Sequence, residues 1–179
     1  DNPIDYARIA VYVDGKRVVD EMIDCAEKEV TVIDRTESAK SVVEIIKLSE
    51  SPMSAVGIEA FAEGSAEALP EKPLKIEFIG DSITCGYGVD DEDENHQFTT
   101  ATEDVTKAYA YKTAKALDAE YSMFSASGYG IVSGYTEGDE PISEQTIPQF
   151  YCSYGFSRGN FAGTAPQDIP VSYTHLRAH

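Results

Sequence analysis

A chain of 179 residues with 14 Lys and Arg against 32 Asp and Glu carries a formal charge of −18, which excludes nucleic acid and anionic membrane as partners, since both require clustered cations. At 42% hydrophobic, with 11 Tyr and 7 Phe, it can bury a core, and no run approaches the ~18 apolar residues of a membrane span. Cys25, Cys85 and Cys152 include no C-x-x-C pair, which excludes a structural zinc site, reads as three free thiols and leaves the compartment open.

Residues 1–63 read as part of a β-sandwich. Ile9, Val11 and Val13 alternate with Ala10 and Tyr12, the two-residue period of a half-buried strand. Asp14-Gly15 separates this run from residues 16–23, a hairpin signal. Further strand-like runs lie at 29–34, 41–48 and 55–61. A complete sandwich takes about seven strands, so this one is expected to be cut at its N-terminus. Residues 64–73 have the Gly, Pro and Glu content of a linker. From 74 to 170 the pattern becomes strand, loop, helix, strand, the opening of an α/β sheet. The strand at 74–79 runs into Gly80-Asp81-Ser82, a helix is expected over 104–118 with Asp104 as cap and Ala110, Ala114 and Leu117 on its buried face, and a strand over 119–125 precedes Ser127-Gly128-Tyr129-Gly130.

The stretch I-E-F-I-G-D-S-I-T-C-G-Y-G, residues 76–88, carries the chemistry. A hydroxyl placed directly after a buried strand is held rigidly at the strand's open end. Gly80 allows a sharp turn, Asp81 supports it, and the Ser82 amide can face the same point as the Ser82 side chain. Nucleophile and oxyanion donor would then come from one residue. The alternative is a turn that Ser82 merely caps, since Ser and Asp favour turns. The G-x-S-x-G elbow is excluded because Thr84 holds its second Gly position, and a P-loop because no Gly-Lys-Ser/Thr closes the loop.

G-D-S-I-T behind an apolar strand resembles the first block of the SGNH (GDSL-type) hydrolases, and the resemblance implies Ser82 as nucleophile. It also implies a later Gly that donates its amide to the oxyanion, which S-A-S-G-Y-G-I puts on Gly128. The whole order resembles the family 2 carbohydrate esterases, two-domain deacetylases with an N-terminal jelly roll. The fold implied is a partial jelly-roll β-sandwich followed by the N-terminal half of an α/β, flavodoxin-like three-layer SGNH domain. The function implied is carboxylic ester hydrolysis, removing acetyl groups from acetylated polysaccharide such as acetylxylan outside the cell, without metal or cofactor. Two rival readings are a non-catalytic carbohydrate-binding protein on the sandwich and a lipase-like acylhydrolase of the same superfamily.

Two blocks of that pattern have no counterpart. No G-x-N-D string exists, and Asn160 lies in G-N-F-A-G without the Asp. The late D-x-x-H is missing too, since Ser172 and Leu176 stand three residues before His175 and His179. One D-x-x-H does occur, Asp93 to His96, inside the acidic run 90–94. His96 is thus a weak alternative base beside the reading of a solvated acidic loop. The run fails as an EF-hand, with His96 where Gly is needed and Thr102 where Glu is needed. Residues 171–179 hold two of the three His and no acid; they read as a non-native tail without regular structure, with the Asn and His blocks lost beyond Pro170. Cys85 reads as a packed thiol, and Tyr109, Tyr111, Tyr129 and Tyr135 as packing residues, with Tyr129 the candidate for stacking on a sugar.

Overall fold

The computed structural model describes residues 6–61, 64–151, 153–154, 165–166 and 174–177. The hairpin expected around Asp14-Gly15 is present. Strands β1 (Ala7–Val13) and β2 (Lys16–Ile23) pair antiparallel, and both turn residues have positive φ, 51° and 80°. Those angles belong to the hairpin turn whose twist matches the flanking strands. Strand β3 (Val43–Lys47) pairs with the other side of β1, giving the order β2-β1-β3. The Asp14 carboxylate accepts from Val42 N–H and Ser41 Oγ–H, each at 2.9 Å, and so ties the start of β3 to the turn.

The runs 29–34 and 55–61, expected as strands, form none. Val56, Ile58 and Phe61 remain 39%, 61% and 56% exposed. Alternation alone does not make a strand, because each backbone needs a neighbour to close its ladder. Neither run has one among the described residues.

Residues 64–73 carry no helix or strand, in keeping with their composition. Strand β4 (Lys75–Gly80) buries Ile76 and Phe78 and leads through Asp81 into the short helix α1 (Ser82–Cys85). The helix expected over 104–118 is divided. Asp104 caps a 3₁₀ turn, Val105–Lys107, by accepting from Thr106 N–H at 3.0 Å, and α2 (Tyr109–Ala116) begins afresh behind Ala108. Ala110 and Ala114 are buried as expected, but Leu117 falls at the helix cap and is 54% exposed. Strand β5 (Glu120–Ser125) lies parallel to β4, which confirms the expected pairing.

Past the Gly-rich turn come α3 (Ile147–Phe150) and the two-residue pair β6 (Ser153–Tyr154) and β7 (Ala165–Pro166). Strand β8 (Thr174–Arg177) runs parallel to β4 on its other side, giving the order β5-β4-β8. The expectation that 171–179 hold no regular structure is corrected for these four residues. An open sheet edge asks mainly for an extended backbone, not for a particular sequence.

Two apolar clusters adjoin one another. Ile76, Phe78, Ala110, Ala114 and Ala119 form one, Ala10, Ile46, Leu48 and Tyr111 the other, and Tyr121 and Met123 pack against both. The first sheet therefore rests on α2 and β5. Charge pairs border this seam: the Arg17 fork spans Asp104 at 2.9 and 3.2 Å, and Arg8 Nη1 meets Asp90 at 2.8 Å.

Candidate active site

The β4–β5 register runs from Lys75 opposite Glu120 to Gly80 opposite Ser125, so the C-terminal ends of both strands lie side by side. Ser82 follows the first end by two residues and Gly128 the second by three. Both therefore sit at the carboxyl edge of the sheet, where open α/β sheets collect their ligands. Ala126 N–H donates to the Gly80 carbonyl at 3.1 Å and extends the pairing to that edge.

Each residue of the first block has a local task. A β-carbon on Gly80 would overlap the Thr84 hydroxyl, and Thr84 is fully buried with its hydroxyl 3.1 Å from that of Tyr109. Gly80→Ala is expected to push α1 off the strand end and cost ~2 kcal/mol, as overpacking does; a lowered urea midpoint at unchanged slope would show it. Asp81 caps α1 by accepting from Ile83 N–H at 3.0 Å. Ser82 is the first residue of α1 and is partly buried, and its hydroxyl has no hydrogen-bond partner among the described residues.

Gly128 has φ 79°, where an L side chain is strained. Space is not the constraint, since a β-carbon there would meet only Tyr135 Cβ at 3.9 Å. The Gly128 carbonyl accepts from Tyr135 N–H at 2.7 Å. The amide before it, Ser127 N–H, donates to Glu50 Oε2 at 2.6 Å.

His96 is engaged elsewhere. Its Nδ1 lies 2.8 Å from Asp91 Oδ1, its Nε2 is 3.8 Å from Asp93, and its side chain is 64% exposed. Asp91 and Asp93 also accept from the amides of Asp93 and Asn95, so the acidic run closes on itself. Asp90 departs from the solvated reading, because it sits between Arg8 and Lys107. The side chains of Asn160, His175 and His179 and the thiol of Cys152 lie outside the described residues.

A second cluster adjoins the site, and only its Cys85 stood out in the sequence. Glu50, Cys85 and Glu103 are 5%, 2% and 0% exposed, and one donor atom of each lies within 4.8 Å of the others. Glu50 N–H donates to Glu103 Oε1 at 3.0 Å, and Lys47 Nζ donates to the carbonyls of Ser49 and Glu50 at 2.6 and 2.9 Å. Burial, with the neighbouring Glu50 charge, pushes the Glu103 carboxyl up to about 8. Burial brings Lys47 down to about 8. Burial and Glu50 also push the Cys85 thiol up, which makes it a packed and inert thiol as expected. With Leu48, Tyr121 and Met123 these residues line a pocket of about 230 Å³. Three donors would suffice for a metal, but Lys47 lines the same pocket and its ammonium opposes a cation there.

Glu103 gives stability a sign with pH. Its proton is held to about pH 8 in the folded chain but only to 4.5 when unfolded. The folded state binds the extra proton between those values, so this contribution is complete below about 4.5 and lost as pH rises to 8. Lys47 acts in the opposite sense only between about 8 and 10.5, where the unfolded chain alone keeps its proton. The melting temperature is expected to drop several degrees from about pH 5 to about pH 8, and Glu103→Gln to flatten the profile. A wild-type profile already flat there would contradict the burial of an acid at 103.

The aromatic expectations divide. Tyr129 packs edge-on against Phe150 with centroids 5.8 Å apart, Tyr111 does so against Tyr121, Tyr109 bonds Thr84, and Tyr135 is 69% exposed. Tyr87, whose N–H donates to the Ser82 carbonyl at 3.0 Å, lies flat on Phe98 with centroids 3.8 Å apart. Sequence reading did not single out that pair.

The chain is similar to several known proteins. The cellulase/esterase CelE of Acetivibrio thermocellus is 34% identical over 129 residues, covering 70% of this chain and 16% of CelE. An acetylxylan esterase / glucomannan deacetylase of Cellvibrio japonicus is 30% identical over 165 residues, 89% of this chain and 43% of that protein. The crystal structure of a family 2 carbohydrate esterase with its carbohydrate-binding domain, from Corynascus thermopiles (Myceliophthora fergusii), superposes at TM-score 0.76 and 26% identity over 96% of this chain and 52% of its own. The homologues and structural neighbours of this chain are family 2 carbohydrate esterases, and the chain resembles them. No protein-family profile matches it. The chain spans less than half the length of those curated relatives and about half of that structure. These structural neighbours carry the SGNH-type fold that G-D-S-I-T implies, whereas the partial jelly-roll sandwich expected for residues 1–63 is not confirmed.

Proposed function

We propose that this chain acts as a family 2 carbohydrate esterase does, supplying the nucleophile and oxyanion donors for removing acetyl groups from acetylated polysaccharide outside the cell. The observation that carries the reading is the β4–β5 register, which brings Ser82 and Gly128 to one sheet edge. Ser82 Oγ attacks the acetyl carbonyl carbon while its proton passes to a base, and the Ser82 and Gly128 amides receive the oxyanion. The bond to the sugar oxygen then breaks, that oxygen takes the proton, and water later frees acetate from Ser82. The described residues offer Ser82 no base; the family pattern asks for a late His. The substrate class rests on the names of the relatives, an acetylxylan esterase / glucomannan deacetylase among them. In this reading β2-β1-β3 is part of a jelly roll, and residues 74–170 form the N-terminal half of a three-layer SGNH domain.

The test is acetate release from acetylated xylan by 1–179, with imidazole in solution standing in for the base and Ser82→Ala as blank. Release that rises with imidazole and disappears in Ser82→Ala supports the proposal. A preference for long-chain acyl esters would move it to the lipase-like reading. Xylan binding without any Ser82-dependent release would overturn it in favour of a carbohydrate-binding protein.

A further inference from the structure

Glu50 lies three residues past β3, in a buried stretch pinned from both sides. Leu48 N–H donates to the Arg8 carbonyl at 2.7 Å, and Val105 N–H donates to the Leu48 carbonyl at 3.2 Å. Glu50 N–H is taken by Glu103 Oε1 at 3.0 Å, and its carbonyl by Lys47 Nζ at 2.9 Å. With its backbone fixed, the side chain leaves the first sheet and reaches the second. Oε2 accepts from Ser127 N–H at 2.6 Å and faces Cys85 Sγ, at the end of α1, at 3.7 Å. One carboxylate thus spans the helix that begins with Ser82 and the turn that holds Gly128.

The peptide plane that carries the Gly128 N–H lies between two tethers. Glu50 holds the amide on its N-terminal side, and Tyr135 N–H holds the Gly128 carbonyl on its C-terminal side at 2.7 Å. A left-handed glycine at φ 79° has freedom to swing its amide, so an oxyanion donor there needs fixing from outside. Burying a carboxylate is costly and an apolar residue would pack more cheaply. The other Glu50 oxygen, Oε1, is indeed buried without a hydrogen-bond partner. We propose that Glu50 is a positioning residue, by which the N-terminal sheet holds the Ser127–Gly128 turn in the orientation that oxyanion donation requires. The inference rests on the esterase reading for its purpose, but the tether itself does not.

Amide hydrogen exchange in 1–179, resolved by nitrogen-15 NMR, tests it. Glu50→Ala is expected to speed exchange at Ser127 at least about tenfold, the worth of a hydrogen bond to a charged group, and to shift the Gly128 amide resonance, while Phe78 in β4 and Met123 in β5 keep their protection. Glu50→Gln, which keeps the shape and a neutral acceptor, is expected to restore most of it and to move the Ser127 proton upfield. Unchanged exchange at Ser127 in Glu50→Ala overturns the proposal. Should Glu50→Ala lose protection everywhere, Glu50→Gln decides: a shifted Ser127 proton with intact strand amides supports the tether, whereas an unmoved proton or a general loss overturns it. Failure of the esterase reading would show separately, as a wild-type chain that forms no Ser82-dependent adduct with phenylboronic acid.

Discussion

Purified 1–179 is expected to hydrolyse an activated acetyl ester only at the background rate, and Ser82→Ala and His96→Ala are each expected to leave that rate unchanged. A serine hydroxyl is a weak nucleophile until a base takes its proton. Here the Ser82 hydroxyl has no partner among the described residues, and His96 is bound to Asp91 at 2.8 Å. Loss of a triad member leaves roughly 10³–10⁴ over water in the serine-protease template, and a missing oxyanion donor removes a further ~10²–10³. No Asn of a G-x-N-D string is present to serve as that further donor. Turnover abolished by both substitutions would make His96 the base and would require the acidic loop to refold onto Ser82.

Arg17→Met is expected to destabilise the chain by ~3 kcal/mol, the cost of leaving a buried charge unpaired. Asp104 is 0% exposed and receives both arms of the Arg17 fork, while Lys107 stands off at 3.9 Å. The pair joins β2 to the cap of the 3₁₀ turn ahead of α2, so its loss should loosen the first sheet from α2 and β5. Equilibrium urea unfolding gives the value, and the double variant Arg17→Met with Asp104→Leu should recover much of it, since an apolar pair of similar volume needs no partner charge. Equal stability of wild type and Arg17→Met would show that the seam is held by the apolar cluster of Ala10, Ile46, Leu48 and Tyr111 alone.

How much was legible follows the range of each interaction. The Asp14-Gly15 hairpin, β4, β5 and the turn at Gly128 were readable because a two-residue period and a turn dipeptide act locally. Gly80, Asp81 and Ser82 were readable because a motif fixes them within a few residues. The runs 29–34 and 55–61 misled for the converse reason: their alternation is local, but a ladder needs a distant neighbour. The break between the 3₁₀ turn and α2 was hidden because Asp104 serves Arg17, 87 residues away, as well as its own cap. Glu50 left no trace in L-S-E-S-P, since its partners Glu103 and Ser127 lie 53 and 77 residues on. Strand β8 was unreadable because the open edge of β4 selects extended backbone and not side chains.

The claim that Ser82 and Gly128 form one oxyanion-stabilising site is tested most directly by titrating 1–179 with phenylboronic acid and following the amide resonances. Boron accepts the Ser82 oxygen, the hydroxyl proton goes to solvent, and the tetrahedral adduct imitates the intermediate of acyl transfer without needing a general base in its turnover. The account predicts that the Ser82 and Gly128 amide protons move together with one saturation curve, and that Ser82→Ala abolishes both movements. Identical shifts in Ser82→Ala, or a Ser82 adduct that leaves the Gly128 amide where it was, would contradict it.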